Sequence, residues 1–409
     1  MANKVRLKIQ LVRVFIIGGL LMTQIFPAGT RAWTQDASAG ASARFQSGAS
    51  DRVTRIGRTA KQLAPFAGIL PSGTPFLPSL LVNTIDTSAW THPSSDPAGI
   101  AYQASTGKLL ISDIDIEEPP QPFWHGFNIF QSTLTGSLSG NCTTFTSGSV
   151  NPPTYNNFSE EPSGITINNS NNRIYFSDDN ANRIFEIAPG LDGTYCTSDD
   201  AVTYVAIGFA PYSITDVEDV AYGQGKLYIT SGGDGSKSIY QYNLGANGVL
   251  GGGDDSSGAL PSFGTAALGF SDVEGIAYNA AAGTLYILST HGSDTYLGET
   301  TTSGNLLHAY DLTYLGTVHR SGLTIAPASG DPSTNNIYIV SRGEDNASTS
   351  DFNDGKIWEI DITPVRPDLI FKDGFESGDF SAWTVANTNN GKLNVDASAA
   401  LFGSYGMRA

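Results

Sequence analysis

Glu218-Asp219-Val220-Ala221-Tyr222 and Glu274-Gly275-Ile276-Ala277-Tyr278 are two copies of one phrase, a carboxylate and a small or acidic residue opening an apolar strand. Looser copies stand at Ala98-Gly99-Ile100-Ala101-Tyr102, Ser163-Gly164-Ile165-Thr166-Ile167 and Ser321-Gly322-Leu323-Thr324-Ile325. A turn and a second strand follow each phrase: Lys108–Ser112, Arg173–Ser177, Lys226–Thr230, Thr284–Ser289 and Asn336–Ser341. Third strands are expected at Phe127–Gln131, Arg183–Ile187, Ser238–Leu244, Leu306–Leu312 and Lys356–Ile362. Short strands recurring with turn-rich gaps at this spacing are the signature of propeller blades. The fold class is therefore all-β, a β-propeller of five four-stranded blades. Six is the alternative, because 103–160 is long enough to hold a degenerate blade.

The outermost strand is visible after some third strands, as at Val202–Ile207 and Leu315–His319, but no sequence remains for it after Ile362. Leu80–Asp86 can supply it from the N-terminal side, which would join the last blade to the start of the chain and leave no sheet edge open.

Composition agrees. The 409 residues include 46 glycines, 10% are aromatic and only 15% are charged, which suits tight turns between half-buried strands. The net charge of −17 repels phosphate backbones and argues against a nucleic-acid partner, while divalent cations remain compatible.

The ends read differently from the body. Residues 1–32 read as a secretory signal: Lys4, Arg6, Lys8 and Arg13 precede the apolar run Val14–Phe26, and Thr30-Arg31-Ala32 offers a cleavage site. The alternative is a retained anchor, against which stands the shortness of the run. Residues 33–75 read as a flexible linker and 76–364 as the propeller. The expected location is extracytoplasmic, secreted or at the cell surface, with no membrane span after signal removal. Within 365–409, Asp373-Gly374-Phe375-Glu376-Ser377-Gly378-Asp379-Phe380-Ser381-Ala382-Trp383 resembles the opening of a secreted-protein β-sandwich module. The remainder is too short for a whole one, so it is an incomplete module or a tail. Export makes a disulfide between Cys142 and Cys196 chemically permissible, and two separate thiols are equally open.

The repeated phrases resemble those of the NHL-like and SdiA-regulated-type propellers over about 280 residues. The resemblance implies the fold more strongly than any activity, since propellers host many. It also implies a metal at the channel mouth and keeps hydrolytic chemistry in view.

Blade geometry predicts where chemistry sits. The innermost strand runs one way along the channel and the second runs back, so first-strand starts and second-strand ends share one face. That face collects Asp96, Asp113, Asp115, Asp178, Asp179, Asp216, Glu218, Asp272, Glu274 and His291; Arg342 is either a clamp for an anionic ligand or the partner of Glu344 or Asp345, and Glu344 is a further candidate ligand-binding residue. Asp216/Glu218 and Asp272/Glu274 occupy matching positions in adjacent blades. Carboxylates this close repel unless protons or a cation intervene, and a hard ion with oxygen ligands, Ca²⁺, fits. The plainer reading is carboxylates that cap amides or sit in water. A second acidic motif runs from Asp192 to Asp199 and Asp200 and again, through Asn247, to Asp254 and Asp255; it reads either as a calcium loop or as a hairpin turn. Trp124, with Phe123 and Phe127, forms an aromatic insertion that is a ligand platform or packing.

No G-x-S-x-G, H-E-x-x-H, P-loop or C-x-x-C occurs. His291 and His319 are the candidate bases. The function expected is a calcium-stabilised binding or scaffold propeller for an extracellular carbohydrate or protein ligand. The alternative is a metal-dependent hydrolase of a lactone, phosphoester or other ester, with Glu218 and Glu274 holding the ion.

Overall fold

The computed structural model describes residues 76–116, 124–146, 152–232, 238–270, 273–289, 296–316, 319–343, 353–363, 379–380, 394–399 and 406–408. The signal and linker segments, most of the sandwich-like motif, and Asp272, His291 and Glu344 lie outside the described residues.

Two strands of the N-terminal region come first, the very short β1 (Phe76–Leu77) and the full-length β2 (Leu80–Asp86). The first blade is β3 (Pro97–Gln103), β4 (Lys108–Asp113), β5 (Ile129–Thr133) and β6 (Leu138–Cys142). The second is β7 (Pro162–Asn168), β8 (Arg173–Asp178), β9 (Arg183–Ala188) and β10 (Ala201–Ala206). The third is β11 (Val217–Gly223), β12 (Lys226–Ser231), β13 (Ser238–Asn243) and β14 (Ser262–Gly264). The fourth is β15 (Val273–Asn279), β16 (Thr284–Ser289), β17 (Tyr296–Thr301) and β18 (Leu306–Asp311). The fifth is β19 (His319–Pro327), β20 (Asn335–Gly343) and β21 (Lys356–Asp361), completed by β2.

The closure expected from Leu80–Asp86 is seen: β2 pairs antiparallel with β21, Ile85 opposite Ile357. The fold is five-bladed, and the long 103–160 stretch holds β4 to β6 and their loops, not a sixth blade.

Two strand expectations fail in the fourth blade. Leu306–Asp311 is its fourth strand, not its third, and of the strand expected at Leu315–His319 the described ends fall elsewhere: Leu315 closes a 3-10 helix and His319 opens β19. The third strand is Tyr296–Thr301, whose Gly298-Glu299-Thr300 core reads poorly as a strand. Gly298 is required there: a Cβ would meet the Phe270 ring at 2.5 Å. Beyond Asp311 the chain turns through the short 3-10 helix Thr313–Leu315 instead. The sequence also gave no sign that β1 would add a parallel fifth strand outside β18.

Apolar side chains from facing blade surfaces interlock between each pair of blades. Ile229, Leu227 and Val220 pack with Tyr175 and Ile184 at the second junction; Tyr228, Ile276 and Ile287 fill the third. Around the channel the inner strands nearly touch. A Cβ on Gly322 would stand 2.7 Å from the Ala98 carbonyl oxygen and 2.9 Å from the Gly99 Cα, so glycine lets the fifth blade close on the first.

Cys142 and Cys196 form a disulfide, Cα atoms 6.3 Å apart. They do not occupy matching loops: Cys142 ends the outermost strand of the first blade, and Cys196 lies in the β9–β10 loop of the second. The described part of 365–409 holds one short hairpin, β22 (Asn394–Asp396) with β23 (Gly406–Arg408). No helix among the described residues is long and apolar enough to cross a membrane.

Candidate functional site at the channel mouth

The pairings Pro97↔Asp113, Pro162↔Asp178, Val217↔Ser231, Val273↔Ser289 and His319↔Gly343 bring inner-strand starts and second-strand ends to one end of the propeller. A register shift follows each of these pairs, between Val217 and Val220 in the third blade and between Val273 and Gly275 in the fourth. Such bulges kink a strand and re-aim its side chains. The kinked backbone is held by the neighbouring blade: the Ser163 hydroxyl donates to the Val217 carbonyl and the Ser177 hydroxyl to the Glu218 carbonyl, both at 3.1 Å. Asp216 sits just before, at φ 58°, in the left-handed region that Asp tolerates better than most residues.

Asp179, Asp216 and Glu218 converge here. Each is half-buried, and each offers a carboxylate oxygen within 4.8 Å of the other two. Burial is the main reason the Glu218 carboxyl is pushed up to about 10, with the charges of Glu274 and Asp179 adding to it. Burial and then Asp216 push Asp179 up to about 6. Arg342 reaches the same space from β20. Burial alone would lower its guanidinium, but the charges of Glu274, Asp96, Glu218 and Asp115 outweigh burial and hold it above the ordinary arginine value. The mouth therefore draws on all five blades: several acids surround one guanidinium.

Other acids nominated on this face do structural work. The buried Asp113 carboxylate accepts from the Ser94 hydroxyl at 2.6 Å and the Asp96 amide at 2.9 Å; burial pushes it up to about 7. Asp178 repeats the arrangement in the second blade, with Ser159 at 2.6 Å and the Ala181 amide at 2.6 Å. These are capping carboxylates holding the turns behind the mouth.

The two Asp-Gly loops are hairpin connections whose carboxylates face their own amides. Asp199 accepts from Leu191 N–H, Asp200 from Gly190, Cys196 and Thr197 N–H, and Asp192 from Thr194 N–H. Asp254 accepts from Ala246 and Asn247 N–H, and Asp255 from Gly251 N–H and the Tyr242 hydroxyl. Trp124 packs against the core cluster between the fifth and first blades, beside Phe127. His319 is exposed at the start of β19, at the acidic end.

Sequence reasoning nominated Asp179 only as one of many and gave Asp219 no role. In the inner strands Asp219 stands where the other four phrases have glycine, a departure visible by aligning the repeats.

No protein-family model matches the sequence, and no curated relative matches it. The resemblance to NHL-like and SdiA-regulated propellers thus gains nothing narrower than the propeller itself. Among solved structures, the chain is similar to glutaminyl cyclase of Myxococcus xanthus, with 12% identity and a TM-score of 0.39, covering 70% of this chain and 96% of that one. It is similar to the PQQ-bound aldose sugar dehydrogenase of Streptomyces coelicolor, with 16% identity and a TM-score of 0.36 over 69% of this chain and 97% of that one. A nidogen/laminin complex also matches, at 13% identity and a TM-score of 0.36, over 61% and 76%. Likenesses of this order transfer no activity. The class that the blades and their closure define is a five-bladed β-propeller with an acidic channel mouth.

Proposed function

We propose that the channel mouth binds a divalent cation, Ca²⁺, through Asp179, Asp216 and Glu218 with Glu274 alongside. In this reading the protein is an exported binding propeller that presents the ion and Arg342 to an extracellular carbohydrate or protein ligand. The observation that carries this is the mutual approach of three half-buried carboxylates to within 4.8 Å. Three anions at that separation in a half-buried setting cannot all ionise without a counter-charge, and Arg342 supplies only one. Oxygen ligands of this number and charge suit a hard ion, with the rest of its coordination left to water or ligand. The arrangement gives a ligand hydroxyl or carboxylate two points of attachment, the ion and the guanidinium fork.

Thermal unfolding of the purified chain with Ca²⁺ and with chelator tests it. An ion that binds only the folded state adds about 2.7 kcal/mol at a hundredfold excess over Kd. An upward shift lost in Glu218→Gln is expected; no shift at millimolar Ca²⁺ overturns the reading.

A second reading keeps the ion and adds turnover of a lactone, phosphoester or other ester. It is favoured by His319, an exposed imidazole at the start of the fifth inner strand, on the face of the carboxylates. Turnover of an ester panel that is abolished by Glu274→Gln would establish it. A Ca²⁺-loaded protein inert on the panel leaves the binding propeller.

A further inference from the structure

Matching positions of the second strands hold Tyr175, Tyr228, Tyr286 and Tyr338 in the second to fifth blades, but Leu110 in the first. The next blade's inner strand brings Tyr222, Tyr278, Ile325 and Tyr102 to these positions, as ring contacts or in the same buried cluster, but Ile167 at the first junction. At two junctions the paired tyrosine rings stack, Tyr175 on Tyr222 at 5.8 Å and Tyr228 on Tyr278 at 5.8 Å; Tyr338 and Tyr102 share a buried cluster at the closing junction. The junction between the first and second blades is the one of the five with no tyrosine in either place.

A cavity of about 450 Å³ lies beside that gap, with Leu110 in its wall. Volumes of this order hold small-molecule ligands. Its floor is apolar, from Leu110, Ile129 and Phe130, and its outer wall is the Cys142–Cys196 disulfide with Tyr195.

The third strands carry Gln131, Glu186, Gln241, Glu299 and Glu359 opposite the five positions above. In the second and third blades the next blade closes this group: the Leu250 amide donates to Glu186 at 2.8 Å, and the Gln241 amide donates to the Thr302 carbonyl at 2.9 Å. In the first blade the Gln131 side-chain oxygen accepts from Lys108 of its own sheet, at 3.1 Å, and no bond from the second blade to the Gln131 side chain is present among the described residues. Lys108 is the one charged residue lining the cavity, which has no carboxylate, although the chain as a whole carries −17. The Tyr195 hydroxyl is buried and has no partner among the described residues. With no accessible surface, that hydroxyl lies behind the cavity wall and not on it. The nearby loop carboxylates of Asp199 and Asp200 are turned onto loop amides.

We propose that this cavity is a ligand site, separate from the acidic mouth, for a small amphipathic carboxylate. Its apolar body lies on Leu110, Ile129 and Phe130 beside the junction that lacks tyrosines, and its anionic end faces Lys108 and the Gln131 amide. Lysine and amide donors complement a carboxylate, and the apolar floor excludes a bare inorganic anion.

Calorimetric titration of the full, oxidised chain with phenylacetate and with neutral phenylacetamide tests this. Phenylacetate is expected to bind saturably. Leu110→Tyr restores the ring the other blades carry and fills the cavity; Gly140→Leu fills it from β6, where a Cβ meets only the Gln131 side chain at 3.4 Å. Either is expected to weaken binding by at least about tenfold, and Lys108→Met to weaken phenylacetate by about tenfold while leaving phenylacetamide unchanged. Should Leu110→Tyr fail to fold, Gly140→Leu decides. No saturable binding to the wild type, or undiminished binding to a folded cavity-filling variant, overturns the site. Equal effects of Lys108→Met on the two probes overturn the carboxylate assignment.

Discussion

The Ile276 amide of the fourth blade donates to the Asp219 carboxylate of the third at 2.9 Å. The same carboxylate accepts from its own neighbour, Val220 N–H, at 2.8 Å. Asp219 thus clamps two adjacent inner strands one residue after Glu218 and two residues after Glu274, and sets their spacing. Asp219→Ala would leave two buried amides unpaired, at about 1–3 kcal/mol each. The expected outcome is a destabilisation by urea unfolding together with a weakened Ca²⁺ response. Asp219→Asn, which keeps one acceptor oxygen, is expected to recover part of both.

Glu218→Gln should behave differently with and without the ion. Burial, reinforced by Glu274 and Asp179, pushes Glu218 up to about 10, so at neutral pH the ion-free site carries it protonated. Glutamine resembles that protonated carboxyl in shape and charge. In chelator, then, the melting temperature of the variant is expected to match the wild type. In Ca²⁺ only the wild type should rise, because only it can surrender the proton to a cation. A variant that melts lower than the wild type in chelator would show that Glu218 is ionised there.

The pH dependence of stability follows with a definite sign. Asp179 and Asp113 are raised from 3.8 to about 6 and about 7, and Glu218 from 4.5 to about 10. Raised acids keep protons in the folded chain that the unfolded chain has lost. Their contribution is complete below the unfolded values and disappears as pH climbs through the folded ones. In chelator, the urea midpoint should therefore be higher near about pH 5 than near about pH 8. Saturating Ca²⁺ should reduce the difference, since the ion replaces the protons at Asp179 and Glu218, and leave the part that belongs to Asp113. A midpoint that rises with pH in chelator would contradict the carboxylate cluster.

The inner and second strands were legible because they repeat. The phrase ending in Ala-Tyr or Thr-Ile marks every inner strand, and the missing outer strand after Ile362 pointed to Leu80–Asp86. The third strand of the fourth blade was not legible, because Gly298 and Glu299 answer to Phe270 and to the bonds with Thr284 and His308, not to strand propensity. At the site, the matched acids of the third and fourth blades were visible in the alignment of repeats. The meeting of Asp179 with Asp216 and Glu218 was not, because it depends on the register shifts that re-aim the inner-strand starts. The Asp-Gly loops show the converse. Their composition suits an ion, and only the hydrogen bonds reveal that the carboxylates are turned onto loop amides.

The disulfide ties the outer edge of the first blade to the β9–β10 loop across 54 residues of sequence. Closing a loop of that length in the unfolded chain is worth up to about 4 kcal/mol on the chain-entropy account. Cys196→Ser should lower the urea unfolding free energy by an amount approaching that, and the wild type under reductant should fall to the same value. The loss belongs mainly to the unfolded state, so the acidic mouth should be untouched. The Ca²⁺-induced melting shift of Cys196→Ser is expected to equal that of the wild type. A shift that disappears with the disulfide would mean that the β9–β10 loop supports the mouth, and that the second blade positions Asp179 only while the bridge holds.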